Sequence, residues 1–187
     1  GIQLQTIDST NSYCKKKETP LGYWVLAEEQ TAGRGRNGKE WLSQGEEKIF
    51  FSAKFTLTVT NFSIPLLSIF VGSAVLKTLL EHFSNLTNEL TLKWPNDIYL
   101  NDKKVSGVLI ESEYMDSIAI FIAGVGINIY GKEKLSTSEY VSETAIGKEG
   151  KQALVHTMIQ FLNEIEFILQ NTNLIQKELD WIYNKSF

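Results

Sequence analysis

Apolar residues recur along this chain with two periods, one typical of strands and one typical of helices. Residues 23–28 begin with a short apolar run and residues 49–57 alternate apolar with mostly polar side chains, so both segments are predicted to be strands. In residues 65–83 the apolar side chains fall on one broad face after Pro65, which predicts a helix that covers a sheet. The first half of the chain therefore mixes strands with a covering helix.

Strand and helix patterns continue to alternate in the second half of the chain. Further strands are predicted at residues 90–94, 97–100, 104–112 and 117–129. Asn101 and Asp102 predict a tight hairpin, and the nearly continuous apolar run at 117–129 predicts a central strand that is buried on both faces. Two helices are predicted around residues 154–168 and 174–183. Hairpins mixed with covering helices predict an α+β fold with a central mixed, largely antiparallel sheet flanked by helices.

A short helix is predicted from residue 10 to about residue 18, because the Asp-Ser-Thr-Asn segment at 8–11 supplies helix-capping side chains. Cys14, the single cysteine, stands beside the lysines at 15–17 on what we expect to be an exposed helix. It has no second cysteine for an internal disulfide, and we do not expect it to be a catalytic thiol.

Composition is that of an ordinary enzyme domain. The chain has 187 residues, of which 43% are hydrophobic and 21% are charged, so we expect one domain over residues 1–187. A formal net charge of -4 argues against a general nucleic-acid or anionic-membrane binder. The longest apolar stretches, 64–76 and 118–129, are shorter than the about 18 residues of a membrane span, and no signal-like N-terminus is present. We therefore expect a cytoplasmic protein that neither spans a membrane nor binds nucleic acid.

The most informative polar segment is Gly-Arg-Gly-Arg-Asn-Gly at residues 33–38. Glycine lets the backbone adopt positive φ and approach a ligand closely, and each guanidinium offers a planar fork of donors for a carboxylate or phosphate. A solvated hairpin tip with two surface arginines is the alternative. The repeat of the Gly-Arg pair and Trp41 just beyond it favour a ligand loop, and the acidic chain around the loop favours a small anion.

The same glycines also match the dinucleotide-binding pattern G-x-G-x-x-G, after the apolar run at residues 23–27. A dinucleotide-binding unit needs a long apolar-faced helix straight after the glycines, so that the helix N-terminus meets the pyrophosphate. Residues 39–45 are too short and too polar for such a helix. We therefore predict that any phosphate at this loop is held by side-chain charge.

The densest polar chemistry elsewhere is Lys-Trp-Pro-Asn-Asp at residues 93–97. Proline biases the preceding residue towards an extended conformation, so the chain should bend there and project Asn96 and Asp97 at a fixed angle. A strand break with these side chains predicts a metal and phosphate site, and the alternative is a structural turn in which Asp97 bonds nearby backbone. Lys104 stands across the hairpin and, taken alone, would be a solvated lysine, while Gly107 permits a close backbone approach.

Together these motifs resemble biotin protein ligases, the enzymes that activate biotin with ATP and attach it to a lysine of a carrier protein. The matching segments are Asp-Ser-Thr-Asn at 8–11, Gln30, residues 31–38, Trp41, Lys-Trp-Pro-Asn-Asp-Ile-Tyr at 93–99, Lys-Val-Ser-Gly-Val-Leu-Ile-Glu at 104–111 and Gly-Ile-Asn at 126–128. Their order and spacing agree with the family's catalytic domain from about residue 3 to residue 130. The resemblance implies a central mixed sheet flanked by helices, related to class II aminoacyl-tRNA synthetases.

The resemblance also implies substrates, a partner and roles for particular side chains. ATP and biotin would be the substrates, Mg²⁺ would be bound at Asp97, and the partner would be a biotin carboxyl carrier protein of acetyl-CoA carboxylase or a related carboxylase. The residues implied in catalysis are Arg34, Arg36 and Lys104. Those implied in binding biotin are Ser9, Thr10, Asn11, Gln30, Gly33, Arg34, Gly35, Arg36, Trp41, Lys104, Gly107 and Asn128. Those implied in binding ATP and its phosphates are Arg34, Arg36, Lys93, Asn96, Asp97 and Lys104.

Attack of a carboxylate on the α-phosphate of ATP requires neutralised and aligned anions, and it requires no enzyme nucleophile. This agrees with a chain in which His82 and His156 lie on predicted helices without a motif around them, and we expect both to be structural or surface residues. By the resemblance, the loop at 33–38 would close over the adenylate. Residues 131–150 lack a clear match, although their position suits an adenine-side loop.

Two other functions are consistent with the same residues. One is a lipoate or octanoate ligase, which would share the fold but whose pocket would have no ureido ring to hydrogen-bond. The other is a non-catalytic biotin-binding module. Some family members begin with a DNA-binding helix-turn-helix domain, and the family usually ends in a small β-barrel, neither of which we expect within residues 1–187. The sequence is compatible with either a monomer or a homodimer.

Overall fold

Within the part of the chain that the structure describes, seven strands form one sheet, and helices pack against it. The computed structural model describes residues 1–41, 47–57, 63–115, 118–132 and 138–186. Residues 42–45, Ser117 and residues 133–137, which entered the predictions above, lie outside the described residues. The strands are β1 (Ile2–Ile7), β2 (Trp24–Gln30), β3 (Glu47–Thr56), β4 (Leu90–Lys93), β5 (Asp97–Leu100), β6 (Lys103–Met115) and β7 (Ile118–Tyr130). The helices are α1 (Thr10–Lys15), α2 (Ile64–His82), α3 (Gly147–Leu169) and α4 (Thr172–Asn184), with short 3-10 turns at Arg36–Gly38 and Ser84–Leu86.

The sheet is largely antiparallel, with its strands in the order β1-β2-β3-β7-β6-β5-β4. β1 and β2 run parallel, and the other neighbouring pairs are antiparallel. β7 is the central strand, and its residues 120–125 and 127–129 are buried. Asn101 has a φ of 52°, as a tight turn between β5 and β6 requires. The predicted α+β class, the hairpin and the doubly buried central strand are confirmed.

Alternation along β3 assigns its side chains to the two faces of the sheet. Ile49 and Phe51 are completely buried in the main hydrophobic core, which α2 and α3 complete on the first face. Phe50 and Ser52 point to the second face, where α1 packs on β2, β3 and β7. Phe50 pairs with Gly126 of β7, and beside this pair the second face is left open for a pocket.

α1 is shorter and more deeply packed than predicted. It ends at Lys15 rather than near residue 18. Cys14 is completely buried, so the expectation of a cysteine on an exposed helix is wrong. Thr10 and Cys14 are four residues apart, and both lie on the helix face that packs against the sheet. The prediction of an exposed helix rested on the lysines at 15–17, whereas Cys14 lies on the face of the helix that packs against the sheet.

α2 is long enough and apolar enough to cross a membrane by length and composition alone. It has 19 residues and continues beyond the apolar stretch at 64–76, on which our expectation of no span rested. The helix packs against α3 and against β4, β5 and β6, and 67% of its apolar window is buried inside the structure. Its place in the core therefore accounts for its composition.

Candidate active site

A pocket opens on the second face of the sheet and encloses about 450 Å³ of space, part of which is open to solvent. Its walls are the start of α1, the end of β2, the loop that follows β2 and the glycine-rich parts of β6 and β7. The residues predicted for the site that line this pocket are Ser9, Thr10, Asn11, Gln30, Arg34, Gly35, Arg36, Trp41, Asn96, Lys104 and Gly107. The fold thus gathers motifs from distant parts of the sequence around one cavity.

Polar side chains at the start of α1 form one end of the pocket. Ser9 caps the helix, and its Oγ accepts a hydrogen bond from the Ser12 N–H at 3.4 Å. Gln30 Oε1 accepts hydrogen bonds from the Thr10 N–H at 2.8 Å and from Thr10 Oγ1 at 3.0 Å. Ser9, Thr10 and Asn11 are only 3–4% exposed. A buried set of donors and acceptors suits a ligand that carries both kinds of group.

Asn11 is held in a fixed orientation by its neighbours. Its Oδ1 lies 2.6 Å from Ser52 Oγ, and this hydroxyl also lies 2.7 Å from Thr10 Oγ1. Its Nδ2 donates to Glu111 Oε2 at 2.8 Å. Gly124 of β7 leaves the space that the amide occupies, because a Cβ there would lie 2.2 Å from Asn11 Oδ1. The same amide could not fit above any other residue at position 124.

The Trp41 ring lies on two glycines of the sheet. A Cβ at Gly126 would lie 2.4 Å from Trp41 Cε2, and a Cβ at Gly107 would lie 2.9 Å from Trp41 Cζ3. The two glycines pair with each other across β6 and β7, so together they form a flat floor for the ring. Lys104 Nζ lies 5.1 Å from the ring centroid, within the range of a cation–π interaction. The indole Nε1 is buried and has no hydrogen-bond partner among the described residues.

The Gly-Arg loop is a tight hairpin that folds over the pocket. The Trp41 N–H donates to Gly33 O at 3.0 Å, and the Gly35 N–H donates to Lys39 O at 2.7 Å. Arg34 forms an isolated bridge with Glu40 through the backbone. Asn37 and Gly38 have φ values of 57° and 72°, the left-handed conformation that asparagine and glycine tolerate best. A three-residue 3-10 turn at Arg36–Gly38, rather than a long helix, follows the first glycines.

Each loop arginine reaches across to another element of the site. Arg34 Nη2 lies 3.1 Å from Glu111 Oε2 on β6. Arg36 Nη1 donates to Asn96 Oδ1 in the turn between β4 and β5. The two guanidinium groups are therefore tied to opposite sides of the pocket mouth. A solvated hairpin tip would leave them without such contacts.

Lys104 and Asp97 form an ion pair, with Nζ 2.8 Å from Oδ1. Asn96 Nδ2 donates to the same carboxylate oxygen at 2.9 Å and lies 3.1 Å from Val108 O. Asp97 thus contacts two side chains of the site, whereas the structural-turn alternative predicted a bond to nearby backbone. Lys104 lines the pocket and is not the solvated hairpin lysine that it would be if taken alone.

Four residues predicted for the site lie beside the pocket without lining it, and Asp97, which contacts the pocket residues Lys104 and Asn96, is one of them. Gly33, the first residue of the loop, is buried, and a Cβ there would lie 2.5 Å from Trp41 O. Lys93 is exposed, and its Nζ lies 4.7 Å from the centroid of the Tyr99 ring. Asn128 Nδ2 donates to Glu139 O at 3.3 Å, so its amide binds the backbone of the segment before α3.

Glu111 is a member of the site to which sequence reasoning gave no role. Its carboxylate accepts from Lys15 Nζ at 2.6 Å, in addition to Asn11 and Arg34. Burial raises the pKa of Glu111, but the hydrogen bonds from Lys15 and Asn11 and the charges of Lys15 and Arg34 outweigh it, and the pKa is lower than its ordinary value. The available signal was alternation, because Gly107, Leu109 and Glu111 share one face of β6.

Lys48 on β3 is a second residue that sequence reasoning missed. It is 6% exposed, and burial lowers the pKa of its ammonium group. Alternation places it on the same face as Phe50, and it pairs with Asn128 of β7. A lysine directly before the apolar run at residues 49–51 was the signal.

Asp97 is the acidic residue predicted for Mg²⁺. Among the residues that the structure describes, no group of three or more His, Cys, Asp and Glu side chains is arranged to hold a metal ion. Proteins commonly bind Mg²⁺ through one or two carboxylates together with substrate phosphates. The residues here fit Mg²⁺ only together with substrate phosphates, and Asp97 would supply one carboxylate.

Residues 3–128 match the Biotin/lipoate A/B protein ligase family. The match covers more than half of the 187 residues, and the chain belongs to this family.

Two curated relatives are similar in sequence. The Biotin--[acetyl-CoA-carboxylase] ligase of Paracoccus denitrificans is 31% identical over 152 residues, which cover 79% of this chain and 62% of the relative. The Bifunctional ligase/repressor BirA of Escherichia coli is 33% identical over 129 residues, which cover 67% of this chain and 39% of the relative. The chain thus spans less than two thirds of the length of either protein.

Solved structures agree with the fold. The biotin protein ligase from Aquifex aeolicus in complex with biotin and ATP superposes with a TM-score of 0.81 at 28% identity, covering 100% of this chain and 78% of that one. The biotin protein ligase from Leishmania major in complex with biotin gives a TM-score of 0.79 at 20% identity, covering 99% of this chain and 81% of that one. The second likeness concerns the fold alone.

Proposed function

We propose that this protein is a biotin protein ligase, which activates biotin with ATP as biotinoyl-5'-AMP and transfers the biotinoyl group to a lysine of a biotin carboxyl carrier protein. The proposal rests mainly on one observation: a buried polar cluster at α1, a loop with two arginines, and Lys104 all line the same pocket. Relatives named as biotin--[acetyl-CoA-carboxylase] ligases and a similar structure that holds biotin and ATP support the same activity.

The polar end of the pocket suits the ureido ring of biotin. This ring presents two N–H donors and a carbonyl acceptor, and each group costs about 1 to 3 kcal/mol if it is buried without a partner. The side chains of Ser9, Thr10, Asn11 and Gln30 offer both donors and acceptors at that end. Trp41, lying on its glycine floor, would pack against the apolar part of the ligand.

The cationic mouth suits the adenylation step. An oxygen of the biotin carboxylate attacks the α-phosphorus of ATP, a new P–O bond forms, and the bond to the pyrophosphate leaving group breaks. Both reactants are anions, so the reaction needs positive charge and alignment more than it needs a nucleophile from the protein. Arg34, Arg36 and Lys104 would hold the carboxylate and the α-phosphate. Lys93, Asn96 and Asp97 would serve the phosphates that leave.

Mg²⁺ would neutralise phosphate charge during this step, and Asp97 would contribute one carboxylate oxygen to it. Asn96 and Lys104 both engage Oδ1 of this carboxylate and thereby hold the side chain of Asp97 in place. The amine of the carrier lysine then attacks the acyl carbon of the adenylate, loses a proton, and displaces AMP. The hairpin loop at residues 33–41, which folds over the pocket, would protect the mixed anhydride from water until the carrier arrives.

The proposal is tested by measuring pyrophosphate release from ATP with biotin, lipoate or octanoate as the acid. Biotin should support release, and the other two acids should support little. A preference for lipoate or octanoate would instead assign the chain to the other branch of its family. Binding of biotin without pyrophosphate release would favour the non-catalytic biotin-binding module.

Two substitutions test the assigned cations. Arg36→Ala and Lys104→Ala should each abolish adenylate formation while the thermal unfolding temperature changes little, because both side chains face the pocket. Lys103→Ala is the matched control, since this neighbouring lysine pairs with Glu139 at 3.1 Å outside the pocket. Adenylate formation that survives both pocket substitutions would refute the roles given to these residues.

A further inference from the structure

Glu111 joins three segments that sequence separates widely. It follows Gly107 and Leu109 on the pocket face of β6, but those two residues line the pocket and Glu111 lies behind its wall. Its side chain is 22% exposed and is surrounded by donors from α1 and from the loop. Glu111 does not line the pocket, and both of its carboxylate oxygens are engaged by protein donors.

One oxygen of this carboxylate is shared between two walls of the pocket. Oε2 accepts from Asn11 Nδ2 at 2.8 Å and lies 3.1 Å from Arg34 Nη2. The other oxygen, Oε1, accepts from Lys15 Nζ at 2.6 Å. The carboxylate therefore connects the start of α1 with the loop through side chains, in addition to the backbone hydrogen bond that the Ala32 N–H donates to Asp8 O at 2.9 Å.

The contact with Asn11 also decides how that amide is oriented. Asn11 Oδ1 faces the hydroxyl of Ser52, and Nδ2 faces Glu111. A reversed amide would turn its oxygen towards the carboxylate, which is repulsive. Glu111 thus fixes which atom of Asn11 is available on the pocket side.

The contact with Arg34 ties down the loop rather than a single side chain. The backbone of Arg34 is bridged to Glu40, and Trp41 and Gly33 close the hairpin beside it. Arg34 is 45% exposed at its side chain, so few other contacts restrain it. Holding its guanidinium group therefore holds the hairpin in place over the pocket.

We propose that Glu111 is a positioning residue of this site, which fastens the loop at residues 33–41 to the start of α1 by engaging Arg34 and Asn11 together. It orders the two walls relative to each other before substrates bind, and it lets Arg34 meet an anion without first paying the full entropy of ordering the loop. The catalytic part of this inference rests on the proposed function. The structural part does not.

Hydrogen exchange of the protein without ligand tests the structural part. Glu111→Gln keeps an oxygen that can accept from Asn11 but removes the charge that attracts Arg34. We expect the amides of Gly35 and Trp41 to exchange about twofold to fivefold faster in this variant, as for the loss of a partly exposed ion pair. Peptides from α2 serve as an internal reference and should exchange as in the wild type.

Glu113→Gln is the matched control, because Glu113 lies on the same strand and the same face two residues further on. It should leave exchange in the loop unchanged. Equal exchange in the loop of the wild type and of Glu111→Gln would overturn the proposal. So would faster exchange throughout the α2 reference peptides, which would mean a general loss of stability.

A double-mutant cycle on biotin affinity tests the catalytic part. Arg34→Gln and Glu111→Gln should each weaken biotin binding, and the double variant should bind about as well as Arg34→Gln alone. Additive losses would show that Glu111 does not act through Arg34. A wild-type protein that neither binds biotin nor releases pyrophosphate would refute the proposed function, whereas the exchange experiment would still decide the role of Glu111.

Discussion

Lys104 of β6 and Asp97 of β5 form an ion pair between neighbouring strands, with the ammonium nitrogen 2.8 Å from a carboxylate oxygen. The same lysine lies 5.1 Å from the centroid of the Trp41 ring. A flexible four-carbon side chain is thereby confined from two sides before any substrate is present. The cation most central to the proposed reaction is held in position by its neighbours.

Asp97→Asn should lower the rate of adenylate formation by about tenfold to a hundredfold, because it removes the charged partner of Lys104 and a carboxylate from the phosphate side. Pyrophosphate release at saturating biotin and ATP measures this rate. Asp102→Asn, at the exposed hairpin turn, is the control and should behave as the wild type. An undiminished rate in Asp97→Asn would show that the ion pair has no part in the chemistry.

Gly126→Ala should weaken biotin binding at least about tenfold, because the new methyl group would lie 2.4 Å from Trp41 Cε2 and must displace the ring. The backbone at Gly126 is not in the positive-φ region, so alanine should fit the strand itself. Calorimetric titration with biotin measures the loss, and the far-UV spectrum checks the fold. Unchanged affinity would mean that the position of Trp41 does not matter for the ligand.

Lys151 of α3 forms a largely buried ion pair with Glu28 of β2, with side-chain exposures of 10% and 24%. Lys151→Ala should lower the free energy of unfolding by about 1 to 3 kcal/mol, less than for a fully buried pair, because Glu28 keeps some contact with water. Lys103→Ala breaks an exposed pair of 45% and 37% exposure, and it should cost less than about 1 kcal/mol. Urea denaturation of the two variants compares them directly, and equal losses would contradict the dependence on burial.

The lowered pKa of Glu111 makes its contribution to stability depend on pH. A carboxyl group with a depressed folded-state pKa stabilises the fold above its ordinary pKa of 4.5, and the contribution is lost as pH falls through the folded-state value. The difference in unfolding free energy between the wild type and Glu111→Gln should therefore be present at pH 7 and shrink below pH 4.5. A difference that stays constant from pH 7 to pH 3 would show that ionisation of Glu111 does not stabilise the protein.

Cys14 should be unreactive in the native protein. Burial raises the pKa of its thiol to about 12 and outweighs the lowering effect of the Lys54 charge, so little thiolate exists at pH 8. Iodoacetamide should label Cys14 only after denaturation, as followed by intact-mass spectrometry. Rapid labelling of the folded protein would mean that α1 separates readily from the sheet.

Local motifs explain why much of the site could be predicted from sequence. The Gly-Arg loop and the Lys-Trp-Pro-Asn-Asp turn are contiguous, and each carries its own chemistry whatever surrounds it. Strand and helix periods likewise located most elements, including the buried strand that became the centre of the sheet. The expected pocket residues could therefore be named before their distances were known.

The missed features depend on which surfaces meet in three dimensions. Cys14 is buried because its face of α1 packs on the sheet, and a helix of six residues carries too short a pattern to reveal that face. Glu111 gains its role only because the start of α1 and the loop lie against the same part of β6. Lys48 gains its position from pairing with Asn128. Local patterns mark Glu111 and Lys48 as unusual, but they do not encode which elements these side chains contact.

β1 escaped prediction, although its short Ile-Gln-Leu-Gln alternation was a signal, and its direction has a consequence for recognition. Because β1 runs parallel to β2, the two strands end at the same edge, where the Thr31 N–H donates to Ile7 O and the Ala32 N–H donates to Asp8 O, each at 2.9 Å. The polar residues at the start of α1, proposed to bind the biotin ring, follow β1 at this edge. The loop arginines, proposed to neutralise the acid group of biotin, follow β2 beside them. Had β1 run the other way, the length of a seven-residue strand, roughly 20 Å, would separate them.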